Sequence, residues 1–174
     1  TPAPTSTPGG PTATPTEPPT PTLPPPPIVS VDPAPPPSLS CPQFLVFHSF
    51  RSGNLDLFRL DGVEKSDSSN LVNLSNSDYN DSRPSLSPDD QWIVFQSNRD
   101  GNVELYLTDS EGKVQTRLTE TQANNVNAMF GPDSQNVAFQ SDRNGNWDIF
   151  LIEAGTGKEI QLTTSAADDV NPYW

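Results

Sequence analysis

From Phe44 onward the apolar residues fall into short alternating runs broken by polar turns, and one such pattern occurs three times. The first copy runs Phe44-Leu45-Val46-Phe47, then Ser49-Phe50-Arg51-Ser52-Gly53-Asn54, then Leu55-Asp56-Leu57-Phe58. The second runs Trp92-Ile93-Val94-Phe95, Ser97-Asn98-Arg99-Asp100-Gly101-Asn102 and Val103-Glu104-Leu105-Tyr106. The third runs Asn136-Val137-Ala138-Phe139, Ser141-Asp142-Arg143-Asn144-Gly145-Asn146 and Trp147-Asp148-Ile149-Phe150. Alternation over so few residues predicts half-buried strands. The Ser-x-Arg-x-Gly-Asn link predicts a hairpin, with Gly53, Gly101 and Gly145 where the backbone needs positive φ.

The spacing is regular. Phe95 to Phe139, Leu74 to Leu118 and Leu118 to Leu162 are each 44 residues apart, as are Pro84, Ala128 and Pro172 in turn. Only the step from Phe47 to Phe95 is longer, at 48, and the extra residues fall in the polar stretch 61–70, where a loop tolerates insertion. A period of roughly 40–50 residues made only of short strands suggests propeller blades. With the strands flanking the hairpin named B and C, a D strand is expected around Leu74, Leu118 and Leu162. An A strand is expected at 83–86, 127–130 and 171–174, the last being Asn171-Pro172-Tyr173-Trp174. The turns Ser87-Pro88-Asp89-Asp90 and Gly131-Pro132-Asp133-Ser134 lead back from A to B with suitable turn chemistry. The expected class is all-β, with four antiparallel strands per blade and repeats at about 43–86, 87–130 and 131–174 in a domain spanning 41–174.

These phrases, with Pro-x-x-Ser-Pro-Asp ahead of B and a Leu-Ser or Leu-Thr pair after C, resemble the TolB-type (PD40, WD40-like) β-propeller repeat family. Asp90 and Ser134 stand where that family usually has glycine, and Ala128 where it has proline. The resemblance implies four-stranded blades around a central channel, usually in extracellular or periplasmic proteins that bind other proteins or serve enzymes as accessory domains. It does not imply one activity.

Residues 1–40 differ in kind. They hold 16 of the 21 prolines and eight threonines, with no Lys or Arg. Proline lacks the N–H donor and fixes φ, so helix and sheet are disfavoured. An extended polyproline-type stalk or linker is expected, up to about 120 Å long. Thr12, Thr14, Thr16, Thr20 and Thr22 lie in Pro/Thr context and are candidates for O-linked sugar. Ile28-Val29-Ser30-Val31 is an apolar island, read either as a strand that docks on a sheet edge or as plain linker. Cys41 is the single cysteine, so no intrachain disulfide is expected. No signal peptide or membrane-spanning run is apparent.

Candidate chemistry is sparse. Arg51, Arg99 and Arg143 each precede an acid by five residues, namely Asp56, Glu104 and Asp148. Repetition in every blade favours a structural part, a bond to loop carbonyls or to that acid. His48 is the only histidine, with Gln96 and Gln140 in its place elsewhere, so no Ser-His-Asp set is expected. No nucleotide-binding glycine loop or multi-histidine metal motif occurs, and no cofactor is expected. The net charge of −13 argues against nucleic acid and anionic membranes. The acids near Asp78-Tyr79-Asn80-Asp81 and Asp168-Asp169 read as solvated turns or, alternatively, as loop oxygens for Ca²⁺. Asn73-Leu74-Ser75 and Asn80-Asp81-Ser82 fit the N-glycosylation pattern.

The expectation is a non-catalytic extracellular or cell-surface interaction module on a stalk, with a second copy of itself as main partner, in a ring or a fibre. Protein or glycan partners are also compatible. The alternatives are a sensor or accessory propeller that binds a small ligand or peptide, and a piece of a longer propeller.

Overall fold

The computed structural model describes residues 44–62 and 70–174. The threonines of the expected stalk, the island Ile28-Val29-Ser30-Val31 and Cys41 lie outside the described residues. Eleven strands follow in order: β1 (Phe44–Ser49), β2 (Asp56–Asp61), β3 (Leu71–Asn73), β4 (Asp81–Leu86), β5 (Trp92–Ser97), β6 (Glu104–Asp109), β7 (Gln115–Arg117), β8 (Asn125–Phe130), β9 (Asn136–Ser141), β10 (Asp148–Glu153) and β11 (Glu159–Gln161). They form three antiparallel sheets, β1-β2-β3, β4-β5-β6-β7 and β8-β9-β10-β11. These are blades one, two and three. The fold class is the one read from the sequence, and no helix forms among the described residues.

The B–C hairpins share one register. Phe47 faces Phe58, Phe95 faces Tyr106 and Phe139 faces Phe150 across the strands. Their ring centroids lie 6.1, 5.8 and 5.7 Å apart, within the favourable range for aromatic pairs. Because side chains alternate across a strand, each blade has two apolar faces. Leu57 and Leu74 of blade one pack with Ile93, Phe95 and Tyr106 of blade two. Val94 and Leu105 of blade two pack with Val137, Phe139, Phe150 and Ile152 of blade three. Blade two therefore uses one face toward blade three and the other toward blade one. Burying one such side chain stabilises by about 1.5–3 kcal/mol.

Three details depart from the sequence reading. The D strands lie two residues earlier than expected, at β3, β7 and β11, so that Leu74, Leu118 and Leu162 follow the strand. Their N–H groups bond back to Leu57, Leu105 and Ile149 carbonyls all the same, each at 2.8 Å. The A strands β4 and β8 break register between Ser82 and Ser85 and between Val126 and Met129. At those breaks Arg83 and Asn127 have φ of 52° and 55°. Asn171–Trp174 pairs with no strand among the described residues, yet Asn171 has a similar φ, 56°. Asp90 and Ser134 also take positive φ, 59° and 57°, in the turn where the resemblance leads one to expect glycine.

Candidate interaction surface

Each hairpin is a self-contained device. Gly53, Gly101 and Gly145 have φ of 109°, 95° and 96°, and their N–H groups bond the carbonyls of Phe50, Asn98 and Asp142. The next residue is an amide clamp. Asn54 Nδ2 donates to the carbonyls of Ser77 and Tyr79, Asn102 to those of Thr121 and Ala123, and Asn146 to those of Ser165 and Ala167. The clamp fixes the loop that leads into the next A strand.

The recurring arginines have the structural place expected for them, but not the partner expected. Arg51, Arg99 and Arg143 each lie over the aromatic pair of their own blade, with the nearer ring centroid at 4.6, 4.4 and 4.2 Å. Each donates from Nε to a B-strand serine, Ser49, Ser97 or Ser141. Arg99 then reaches both oxygens of Asp81 on the A strand, at 3.1 and 3.0 Å, and Arg143 reaches Asn125 Oδ1 at 2.9 Å. Arg51 makes no such contact among the described residues and is exposed.

The acid five residues on serves the D strand instead. Asp56 accepts from Ser52, Asn73, Ser75 and the Ser77 N–H. Burial opposes its ionisation, but the bonds from Ser52, Asn73, Ser77 and Ser75 together hold its pKa below the usual carboxylate value. Glu104, fully buried, accepts from Thr119, Thr121 and Asn125 and pairs with Arg117 at 3.2 Å. Asp148 accepts from Gln161 at 3.0 Å and from Thr163 at 3.5 Å.

His48, Gln96 and Gln140 hold the joints between blades. His48 Nδ1 accepts from Arg83 N–H at 3.2 Å, Gln96 Oε1 from Asn127 N–H at 3.3 Å, and Gln140 Oε1 from Asn171 N–H at 2.9 Å. In each case a B-strand side chain seats the left-handed residue of the following A segment. Asn171–Trp174 is therefore placed on blade three as β4 is on blade one and β8 on blade two. The Trp174 indole donates to the Met129 carbonyl at 3.3 Å and lies on Gly131, where a Cβ would come within 2.9 Å of the ring.

Among the described residues, several large apolar side chains of blade one and of the stretch after β11 are exposed. Leu45, Phe50, Leu162, Val170, Tyr173 and Trp174 are all exposed. An apolar edge strand with unpaired backbone groups is a template for further β-structure.

The remaining titratable and polar side chains among the described residues are mostly committed to structural bonds. His48, the only histidine, has its Nδ1 engaged by the Arg83 N–H. No group of three or more metal-binding side chains converges among the described residues. Asp81 is committed to Arg99, and Asp168 caps the Trp147 N–H. Asn73 spends its amide on Asp56, which ties up one of the two glycosylation patterns. A small cleft lined by Asn80, Ser82, Gln96, Ser97, Asn98 and Val103 contains no titratable side chain. Burial, with the hydrogen bond and charge of Asp100, pushes the Tyr106 phenol up to about 12, far from a neutral-pH acid or base. No described helix is long and apolar enough to cross a membrane. Sequence reasoning placed His48, Gln96 and Gln140 in equivalent positions but did not identify them as the partners of the A segments. Their equivalence, at steps of 48 and 44 residues, was readable, but nothing in the sequence tied them to Arg83, Asn127 and Asn171.

Comparison with known proteins agrees with this geometry. A family profile described as TolB beta propeller domain matches residues 37–174. Among solved structures, a putative TolB from Agrobacterium tumefaciens superposes with a TM-score of 0.61 at 18% identity, covering 68% of this chain and 44% of that one. TolB from Acinetobacter baumannii gives 0.58 at 23% identity, covering 72% and 31%. An oligogalacturonate lyase from Vibrio parahaemolyticus gives 0.54 at 12% identity, covering 68% and 36%. At such identities the likeness is one of fold. The matched part of this chain spans less than half of either TolB chain. A search of curated protein sequences returns no match.

Proposed function

We infer that this chain, which belongs to the TolB β-propeller domain family, is a non-catalytic protein-interaction module whose bare blade faces take up further β-structure. We place it outside the cytoplasm, as a structural subunit of a cell-surface or extracellular assembly carried on a Thr/Pro-rich stalk with O-linked sugar. The observation that carries the reading is exposed apolar surface: Leu45 on blade one, Leu162 after the last strand of blade three, and Tyr173 and Trp174 are all exposed among the described residues. A ring generally needs about four to eight blades, and three are described. Polar chemistry in the repeats is consumed by hairpins and joints, which leaves the apolar faces as the surface available for recognition.

A second reading rests on length. The chain covers 44% and 31% of the two TolB chains, as a piece of a longer TolB-like propeller would, with a ligand or peptide bound in the channel of the whole. Sedimentation over a range of concentrations tests the first reading. The particle is expected to exceed the 18.9 kDa of one chain, or to capture a protein partner. A single-chain species that binds no protein would overturn it.

A further inference from the structure

The joint between blades one and two differs from the later ones at both of its ends. Gln96 and Gln140 accept the N–H groups of Asn127 and Asn171 through an amide oxygen, and an amide does not titrate. His48 does the same work for Arg83 through a ring nitrogen, at 3.2 Å. A ring nitrogen accepts only while it carries no proton, so this bond requires the neutral imidazole with its proton on Nε2. The seated residue differs as well. All three take a left-handed φ, 52° at Arg83, 55° at Asn127 and 56° at Asn171. Asparagine enters that region readily, whereas arginine does so rarely. Asn127 is held a second time, by its own amide on Gln140 and Asn171. Arg83 has no such amide to offer, so its conformation leans on His48.

We propose that His48 is a pH-sensitive latch on the joint between blades one and two, closed while its ring is neutral and released when the ring takes up a proton. Protonation turns Nδ1 from an acceptor into a donor. Two N–H groups then face each other and the bond is lost. Histidine changes charge between about pH 5 and 8, and the release falls in that range. His48 is exposed, so the proton has free access. The register break of β4 between Ser82 and Ser85 loses its fixed point. The packing of Leu57 and Leu74 with Ile93, Phe95 and Tyr106 holds no titrating group in this range and keeps the two blades together. The joint loosens and the blades do not part.

The charged groups around the ring do not offset this loss. β1 packs chiefly against β2 and β4. On β2, Arg59 and Asp61 pair with each other at 2.7 Å, and Asp56 is taken up by Ser52, Asn73, Ser75 and the Ser77 N–H. On β4, Asp81 accepts from Arg99 with both oxygens. Arg51, just after β1, lies over Phe47 and Phe58. Residues 33–43, ahead of β1 in sequence, hold no Asp, Glu, Lys or Arg. No acid on these elements is left to hold an imidazolium in place of the Arg83 N–H, and the positive charge of Arg83 itself opposes one.

The test is an NMR titration of the whole chain from about pH 8 to about pH 5, with amide exchange measured at both ends and divided by the intrinsic rate at each pH. The Arg83 amide shift is expected to follow the protonation of the His48 ring with the same midpoint. Protection of the Arg83 N–H is expected to fall about fivefold, the factor that corresponds to about 1 kcal/mol of hydrogen bond. The Asn127 N–H, seated by Gln96, is expected to keep its protection. His48→Gln is expected to fold, because glutamine fills the same seat in the other two joints, and to abolish the pH dependence at Arg83. Arg83 protection that is equal at both pH values, or that falls no further than that of Asn127, overturns the latch, and so does a fall that persists in His48→Gln. The comparison of Arg83 with Asn127 is made within the native chain and decides the matter even if the variant does not fold.

Discussion

Leu45 and Ile93 hold the same place in successive B strands, and so do Phe47 and Phe95 in their aromatic pairs. Yet Ile93 and Phe95 are fully buried, Leu45 is exposed and Phe47 half-buried. The two blades share the glycine turn, the paired rings, the amide clamp and the arginine over the rings. What differs is the neighbour. A blade's internal geometry is local, set by a hairpin with short loops, whereas the burial of its backward face is conferred by the blade before it. Among the described residues, blade one has the first without the second.

This contrast can be broken at its centre. Phe139→Ala removes a fully buried ring from the second joint, and a loss of about 3–5 kcal/mol is expected in urea unfolding. Phe47→Ala, with its ring partly in water, is expected to cost about 1–2 kcal/mol. Equal losses would show that blade one is covered in solution. The arginines give a second measure. Arg99→Ala leaves the wholly buried Asp81 carboxylate without its cation, a change that costs about 3–5 kcal/mol. Arg51→Ala removes an exposed cation–π contact and an exposed bond to Ser49, about 0.5–1 kcal/mol. The difference would narrow if Arg51 had found a carboxylate in an assembly.

The smallest effect concerns pH. Asp56 ties hairpin, D strand and loop together in blade one, and its folded pKa lies below 3.8. A depressed folded pKa means that the charged form favours the folded state. Its contribution is present in full above the ordinary value of 3.8 and declines as pH falls through the lower folded value. Thermal unfolding followed from about pH 6 to about pH 2 should show this decline in the native chain, and Asp56→Asn should flatten it.

Much of this architecture was legible from Phe44 onward because each blade repeats both its apolar period and its turn chemistry. Gly53, Gly101 and Gly145 announced the hairpins, since positive φ with a sheet on either side leaves little choice of residue. The breaks in β4 and β8 were not legible, because the left-handed position is held by Arg83 in one case and Asn127 in the other, and arginine is no marker of that conformation. The D strands were placed late because Leu74, Leu118 and Leu162 are the conspicuous apolar residues, while the paired residues before them are largely polar. The interaction surface was legible only as a strand count. That Arg99 turns to Asp81 on the A strand and not to Glu104 was not legible either.

The amide clamps carry a consequence for how such a protein can change in length. Asn54 belongs to blade one, but the carbonyls that it holds, Ser77 and Tyr79, lie on the approach to blade two. Asn102 and Asn146 reach forward in the same way. Any stretch of 44 residues taken from this region therefore contains a tongue for its successor and a groove for its predecessor. Duplicating or deleting that stretch in frame leaves every seam matched, with no contact to be invented. Growth by half a period would mismatch both seams, whereas a few residues added within a loop, as in the 48-residue first step, leave the order of the strands unchanged.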